Sequence, residues 1–427
     1  LKHTVTEVKL KTGAKGLLID VPGATVMSFQ FQFRAGNRFT RSKDIYETAH
    51  IMEHMAFGAN ARFKDEHAYE AEFTKNGAYH NAYTSDYSMV YVSDCADFEW
   101  DRILDLQQLA IAEPRFSEDD LKSETGNVRS ELTGYLNNHN RVLWPRMQQL
   151  LGEDVLTYQQ RLKTIANVTL ADVREHYART HTSENLRFVI AGKLQGRKKR
   201  LMEMLESWQL QEGQRLDIPV DTLHAVEKPL LIKRKESPNL TFGWSMNLPR
   251  RLSNKEADAM ACADHILTGT LYSRIYGKAR KKGLVYSIFS DTSVYEHTSS
   301  WDFGAQVNLD TAEGLMDVIV SEVKNLLDGK LTEEEIAAAK QYALGRHQMG
   351  AQTVGQINGW YANRFFFDDT FDSYDSRPRA INAITKDTIV RVAQEFVNQN
   401  CWLLGGIGSA DDALLERLHQ KLTPIFK

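Results

Sequence analysis

Two histidines and a glutamate fall within five residues of "TAHIMEHMAFGAN", Thr48 to Asn60: His50, Glu53 and His54. On a helix, residues three and four apart share a face, so the two imidazoles stand one turn apart with Glu53 beside both. Imidazoles at i and i+4 form a two-pronged hook for Zn²⁺, which in a catalytic site takes three protein ligands and keeps one position for water. The glutamate between them can take a proton from that water without touching the metal. Buried histidines can also be ordinary hydrogen-bonded core residues. A shared ion accounts better for the set, because burying two imidazoles and a carboxylate without a common partner is costly.

A third ligand is sought in "FSEDDLKSETGNVRSEL", where Ser117 and Asp120 have the spacing of a helix N-terminal cap. Glu124 and Glu131 lie seven residues apart, on nearly the face of Leu121, Val128 and Leu132. Carboxylates on an apolar face need a reason. They are about 10 Å apart along the axis at about 1.5 Å per residue, too far for one metal to grip both. Glu131 is assigned as the ligand, and Glu124 as the group that orients a ligand or the bound water. Two solvated surface acids are the alternative.

The elements that must hold these groups read as one unit written twice. "MSFQFQFRAG" alternates Met27, Phe29, Phe31 and Phe33 with polar residues, a period-2 strand with one buried face. A helical stretch at about 44–57, a strand-like region "GAYHNAYTSDYSMVYVSD", a long helical tract at about 97–165 and a strand "LRFVIAG" follow. "LTFGWSMNL", "SSWDFGAQVNL", "KLTEEEIAAA" and "CWLLGGIGSADDALLERLHQ" then repeat the order. The expected fold class is α+β: two homologous α/β-roll domains, each an antiparallel-rich sheet with helices packed on one side. A metal-binding domain is expected at 1–208, a linker at 209–228 and a degenerate repeat at 229–427.

The repeat is also a control. It aligns Glu53 and His54 with Asp264 and His265, His50 with Ala261, Glu124 with Ala339, and Glu131 with Arg346. The second copy lacks the ligand set, so the fold does not need it. One metal site per chain is expected, in the first half.

Bulk properties exclude other classes. A net charge of −4 supplies no basic field for nucleic acid. No apolar run approaches the roughly 20 residues of a membrane span. Cys95, Cys262 and Cys401 lie too far apart for a disulfide framework or zinc knuckle. The opening "LKHTVTEVKL" shows no apolar signal region, although a removed signal peptide would leave the same start.

"HIMEH" followed by Glu131 in an E-x6-E helix resembles the inverted zinc peptidases of the pitrilysin and insulinase family, M16. "NAYTSDYS" and "LYSRIYGKARKKGLVYSIFS" extend the resemblance to the whole chain. Length and two-fold repetition are similar to the branch of processing-peptidase β subunits and short bacterial zinc peptidases. The resemblance implies that His50, His54 and Glu131 hold one Zn²⁺, that Glu53 activates the water, and that Glu124 supports the site. It implies an exposed edge strand at His80, Asn81, Ala82, Tyr83 and Thr84, against which an extended peptide pairs. Family members enclose substrate with four such units, so a homodimer, or a heterodimer with a related subunit, is implied. Tyr286 of the second chain would then reach the substrate. Here the chain departs from the family, whose arginine stands seven residues before that tyrosine; this sequence has Ala279 there and Arg280 one later, so either Arg280 binds substrate in that arginine's place or the chain lacks it. The glycine-rich segment of the non-catalytic processing subunit is missing from "HILTGTLYSR". The resemblance also favours a soluble protein of the bacterial cytoplasm or periplasm over one of the mitochondrial matrix.

The reading from these features is a zinc endopeptidase for unfolded peptides. Its rivals are a catalytic subunit active only with an unlike partner, and a non-catalytic scaffold of the core-protein type.

Overall fold

The computed structural model describes residues 1–426. Strands β1 (Thr4–Lys9), β2 (Lys15–Asp20), β3 (Val26–Phe33), β4 (Tyr79–Thr84), β5 (Met89–Ala96) and β6 (Arg187–Gly192) form one sheet, in the order β1-β2-β6-β3-β5-β4. Strands β7 (Leu230–Lys233), β8 (Asn239–Leu248), β9 (Ile288–Val294), β10 (Ser299–Asn308) and β11 (Trp402–Gly408) form another, ordered β7-β11-β8-β10-β9. Without β1 the two orders coincide strand for strand. In each, one parallel pair, β2 with β6 or β7 with β11, adjoins an antiparallel ladder. The repeat seen in the residues is therefore a repeat of architecture, and the fold is α+β. The expected long helical tract is four helices, Trp100–Ala112, Glu118–Tyr135, His139–Leu151 and Tyr158–Thr164.

The chain separates into two compact units that interleave in sequence. Leu1–Gly134, Tyr158–Pro219 and Gln348–Tyr374 make the first; Tyr135–Thr157, Val220–His347 and the residues after Tyr374 make the second. Each half of the sequence thus supplies one helical segment to the unit of the other half.

This exchange corrects the expectation of one buried face for β3. Met27, Phe29, Phe31 and Phe33 are buried as expected, but Ser28 and Gln32 on the opposite face are buried too. Helix Val354–Asp368 lies across that face. Asn358 donates from Nδ2 to the carbonyls of Ser28 and Val189, and Val354, Ile357 and Phe365 pack on Leu17, Ile19 and Ala191. In the second unit, helix His139–Leu151 does the same. Its Val142, Leu143, Met147 and Leu151 cluster with Cys401, Leu403 and Ile407. Gly243 and Gly405 permit the approach: a Cβ at these positions would lie 2.9 Å from the Trp144 ring and 2.4 Å from Met147 Sδ.

The exchanged helix of the first unit ends at a charged latch. Asp369 takes the left-handed conformation, φ 53°, at the helix C-terminus. It accepts from Lys15 Nζ at 2.9 Å and from Nε and Nη2 of Arg187. Burial alone would raise its carboxyl, but the guanidinium and ammonium hold it well below the usual carboxylate range. Asp369→Asn keeps the left-handed preference and removes the charge. With the pair partly solvated, the variant should lose about 1–2 kcal/mol at pH 7. A depressed value contributes stability that is complete above the unfolded carboxyl's value and disappears as pH falls through the folded one. The difference between the proteins should therefore hold from pH 7 to 5 and shrink below about pH 4, as read by urea unfolding.

Candidate metal centre

Helix Thr48–Ala56 buries Ala49, Ile51, Met52 and Met55 completely or nearly so. The remaining stripe at helical spacing is His50, Glu53, His54 and Phe57. Helix Glu118–Tyr135 begins with the expected cap, Asp120 N–H donating to Ser117 Oγ at 3.1 Å. Its Leu121, Val128 and Leu132 are buried, which points Glu124 and Glu131 at the histidines.

The ligand atoms of His50, His54 and Glu131 lie within 4.8 Å of one another. Glu131 Oε2 is 3.6 Å from His50 Nε2 and 3.7 Å from His54 Nε2. These separations are too long for hydrogen bonds. They are close to the roughly 3.3–3.5 Å between two donors on one tetrahedral zinc with bonds of about 2.0–2.1 Å. The other ring nitrogens are committed: His50 Nδ1 to Glu47 and His54 Nδ1 to Glu124, both at 3.1 Å. A carboxylate only accepts, so each Nδ1 carries a proton and each Nε2 is the nitrogen left to meet an ion. The donor set fits a Zn²⁺ ion. No other group of three His, Cys, Asp or Glu side chains converges in this way among the described residues.

Burial works against charge on His54, but the carboxylates of Glu124 and Glu131 outweigh it and carry its value to about 10. A metal bound there would have to displace that proton. Glu124 is pulled down, first by its bond with His54 and also by Asn127, whose Nδ2 donates to it at 3.0 Å. Burial raises the carboxyl of Glu53 despite the neighbouring histidines. Thr84 Oγ1 donates to Glu53 Oε2 at 2.9 Å, tying that acid to β4.

β4 is an edge strand of its sheet. His80 does not offer its side chain there. Its Nε2 lies 2.6 Å from Glu70, and its ring sits against Phe57 and Phe73 at 4.9 and 4.1 Å between centroids. Ala82 is buried as well. Of the five residues expected to meet substrate, Asn81 and Tyr83 are exposed, with Tyr79 beside them, whereas His80 and Thr84 are half-buried and Ala82 is buried. In the second unit, the six-residue spacing closes on itself: the Arg280 guanidinium lies 4.6 Å from the Tyr286 ring centroid, with both residues exposed.

The repeat's own version of the site is informative. Thr292 Oγ1 and Trp301 Nε1 donate to buried Asp264 at 2.8 and 2.9 Å. The acid–threonine bond of Glu53 and Thr84 thus recurs on β9. Burial carries Asp264 to about 7. His265 stacks on Tyr342 at 4.1 Å, and among the described residues no ligand set forms around it.

Sequence reading passed over Glu47. It has no exposed surface and pairs with Arg161, which donates to both its oxygens. A carboxylate three residues before a histidine, in a buried stretch, was the available signal.

The sequence model described as Insulinase (Peptidase family M16) matches residues 17–159, and that described as Peptidase M16 inactive domain matches residues 167–342. A Bacillus subtilis relative named as an uncharacterized zinc protease is 20% identical over 91% of this chain and 95% of its own length. The β subunit of the Caenorhabditis elegans mitochondrial-processing peptidase is 30% identical over 26% of this chain, but only 24% of that protein is covered. A protease from Helicobacter pylori shares the fold with a TM-score of 0.82 at 17% identity, over 95% of this chain and all of that one. A Pseudomonas fluorescens structure described as a peptidase M16 inactive domain reaches 0.83 at 17% identity, covering 96% and 98%. No helix among the described residues is long and apolar enough to cross a membrane.

Proposed function

The chain belongs to peptidase family M16, and from that premise we propose that it is a zinc-dependent endopeptidase for extended, unfolded peptide segments. The observation that carries the reading is the convergence of His50 Nε2, His54 Nε2 and Glu131 on one point, with Glu53 beside it but outside the donor set. His50, His54 and Glu131 would hold Zn²⁺, which supplies an acidified water and polarises the scissile carbonyl. Glu53 takes the proton of the attacking water and returns it to the leaving amine. Its bond to Thr84 fixes that carboxylate against the strand along which the peptide lies. The peptide adds its backbone to the open edge of β4, so main-chain bonds supply affinity while Tyr79, Asn81 and Tyr83 only bias the sequence.

A second reading keeps the chemistry and adds a partner. Tyr286 is 78% exposed and Arg280 stacks on it, a pair presented outward. In this reading the pair meets substrate held by another subunit, either a second copy or a related chain. A non-catalytic scaffold is disfavoured by the complete donor set.

Purified chain loaded with one equivalent of zinc should cleave an unstructured peptide. Cleavage should stop with a chelator and return when zinc is restored. Sizing in the same buffer separates the readings. Zinc bound at one per chain with no cleavage by the lone chain would favour the unlike partner; no zinc bound would sink both.

A further inference from the structure

The two histidines are oriented by unlike devices. His54 leans on Glu124, a partly exposed acid whose other partner is the neutral Asn127. His50 leans on Glu47, which has no exposed surface and is neutralised by a guanidinium. Arg161 pairs with both oxygens of Glu47, from Nε and, at 2.9 Å, from Nη2. Arg161 reaches Glu47 from helix Tyr158–Thr164, and its guanidinium lies 5.0 Å from the Tyr158 ring and 5.7 Å from the Tyr46 ring. Tyr46 is held in turn by its hydroxyl, which donates to Asp86 at 3.1 Å.

We propose that Arg161 is a positioning residue for the metal centre: it fixes buried Glu47 so that His50 is held as the Nδ1–H tautomer with Nε2 aimed at the ion. The role of the ion rests on the zinc-peptidase reading above. A planar guanidinium grips both carboxylate oxygens at once and removes their freedom to rotate. The remaining acceptor direction on Oε2 faces His50 Nδ1 at 3.1 Å. An acceptor there demands a donor on the ring, and the opposite nitrogen is left with its lone pair. Without Arg161, Glu47 would be a buried carboxylate with no cation, and it would not stay in one place.

The test reads the tautomer as well as the metal. Nitrogen-15 spectra of histidine-labelled, metal-free protein at pH 8 should show His50 as Nδ1–H. Zinc competition against a chromophoric chelator should give a 10–100-fold weaker site in Arg161→Met, the range that outer partners of ligating histidines command. Arg161→Lys, which supplies charge without the fork, should recover part of that loss. Because a lone buried charge can prevent folding, the double variant Glu47→Leu with Arg161→Met is measured alongside. It leaves neither charge of the pair behind, and should fold, show mixed His50 tautomers and bind zinc 10–100-fold more weakly. An Nε2–H His50 in wild type would overturn the proposal, as would wild-type zinc affinity in the double variant. Failure of wild-type protein to bind zinc would instead sink the functional reading while the tautomer result stood by itself.

Discussion

Glu53→Gln is expected to bind one zinc per chain as wild type does and to hydrolyse peptide about 10³-fold more slowly, within the range a positioned general base supplies. The substitution preserves shape. Thr84 Oγ1, which donates to Glu53 at 2.9 Å, can donate equally to a glutamine carbonyl, so the side chain stays against β4. What disappears is basicity: an amide cannot accept the water's proton. Burial raises the Glu53 carboxyl and so strengthens it as a base, and its loss should be felt directly. The converging donor set does not include Glu53, and zinc content should therefore be unchanged. Elemental analysis and peptide turnover on one preparation decide the matter. Near wild-type turnover with full zinc removes Glu53 from the mechanism; loss of zinc as well makes it a ligand.

The candidate site was legible in the residues because its geometry is local. His50, Glu53 and His54 share a face through helical spacing alone, and Glu124 and Glu131 do so by the same rule. The structure adds what spacing cannot give, namely that the two helices meet with Glu131 between the Nε2 atoms and Glu124 on a Nδ1. The strand repeat was legible for a similar reason: alternation is a property of neighbours. What escaped depends on distant partners. Ser28 and Gln32 look like a solvent face until helix Val354–Asp368, supplied by the other half of the sequence, covers them. His80 lies on an edge strand, yet the rings of Phe57 and Phe73 turn its side chain inward. Glu47 could be noticed, but Arg161 stands 114 residues away and no local pattern announces it.

The largest losses of metal are expected from His50→Ala, His54→Ala and Glu131→Gln, each well beyond the roughly 10–100-fold that an outer partner such as Glu124 should cost. Each removes one of only three protein donors, and two donors cannot hold a catalytic zinc against a chelator. His54→Ala has a second consequence. In the metal-free protein the carboxylates of Glu124 and Glu131 raise His54, whose positive charge offsets them in turn. Without it Glu124 loses its imidazole partner and only His50 is left to face Glu53 and Glu131, so this variant should also be the least stable of the three. Proton competition gives the pH dependence its sign: a metal that must displace a proton from His54 binds more tightly as pH rises, with apparent affinity climbing up to about tenfold per unit below pH 10. His54→Ala should lose that slope together with the metal, whereas Glu124→Gln should flatten it at a cost of roughly 10–100-fold in affinity. Zinc competition across pH 6 to 9 reads all of these from one set of curves. Undiminished zinc in Glu131→Gln would move the third ligand elsewhere, and a flat wild-type profile would mean that no proton leaves His54 when the ion enters.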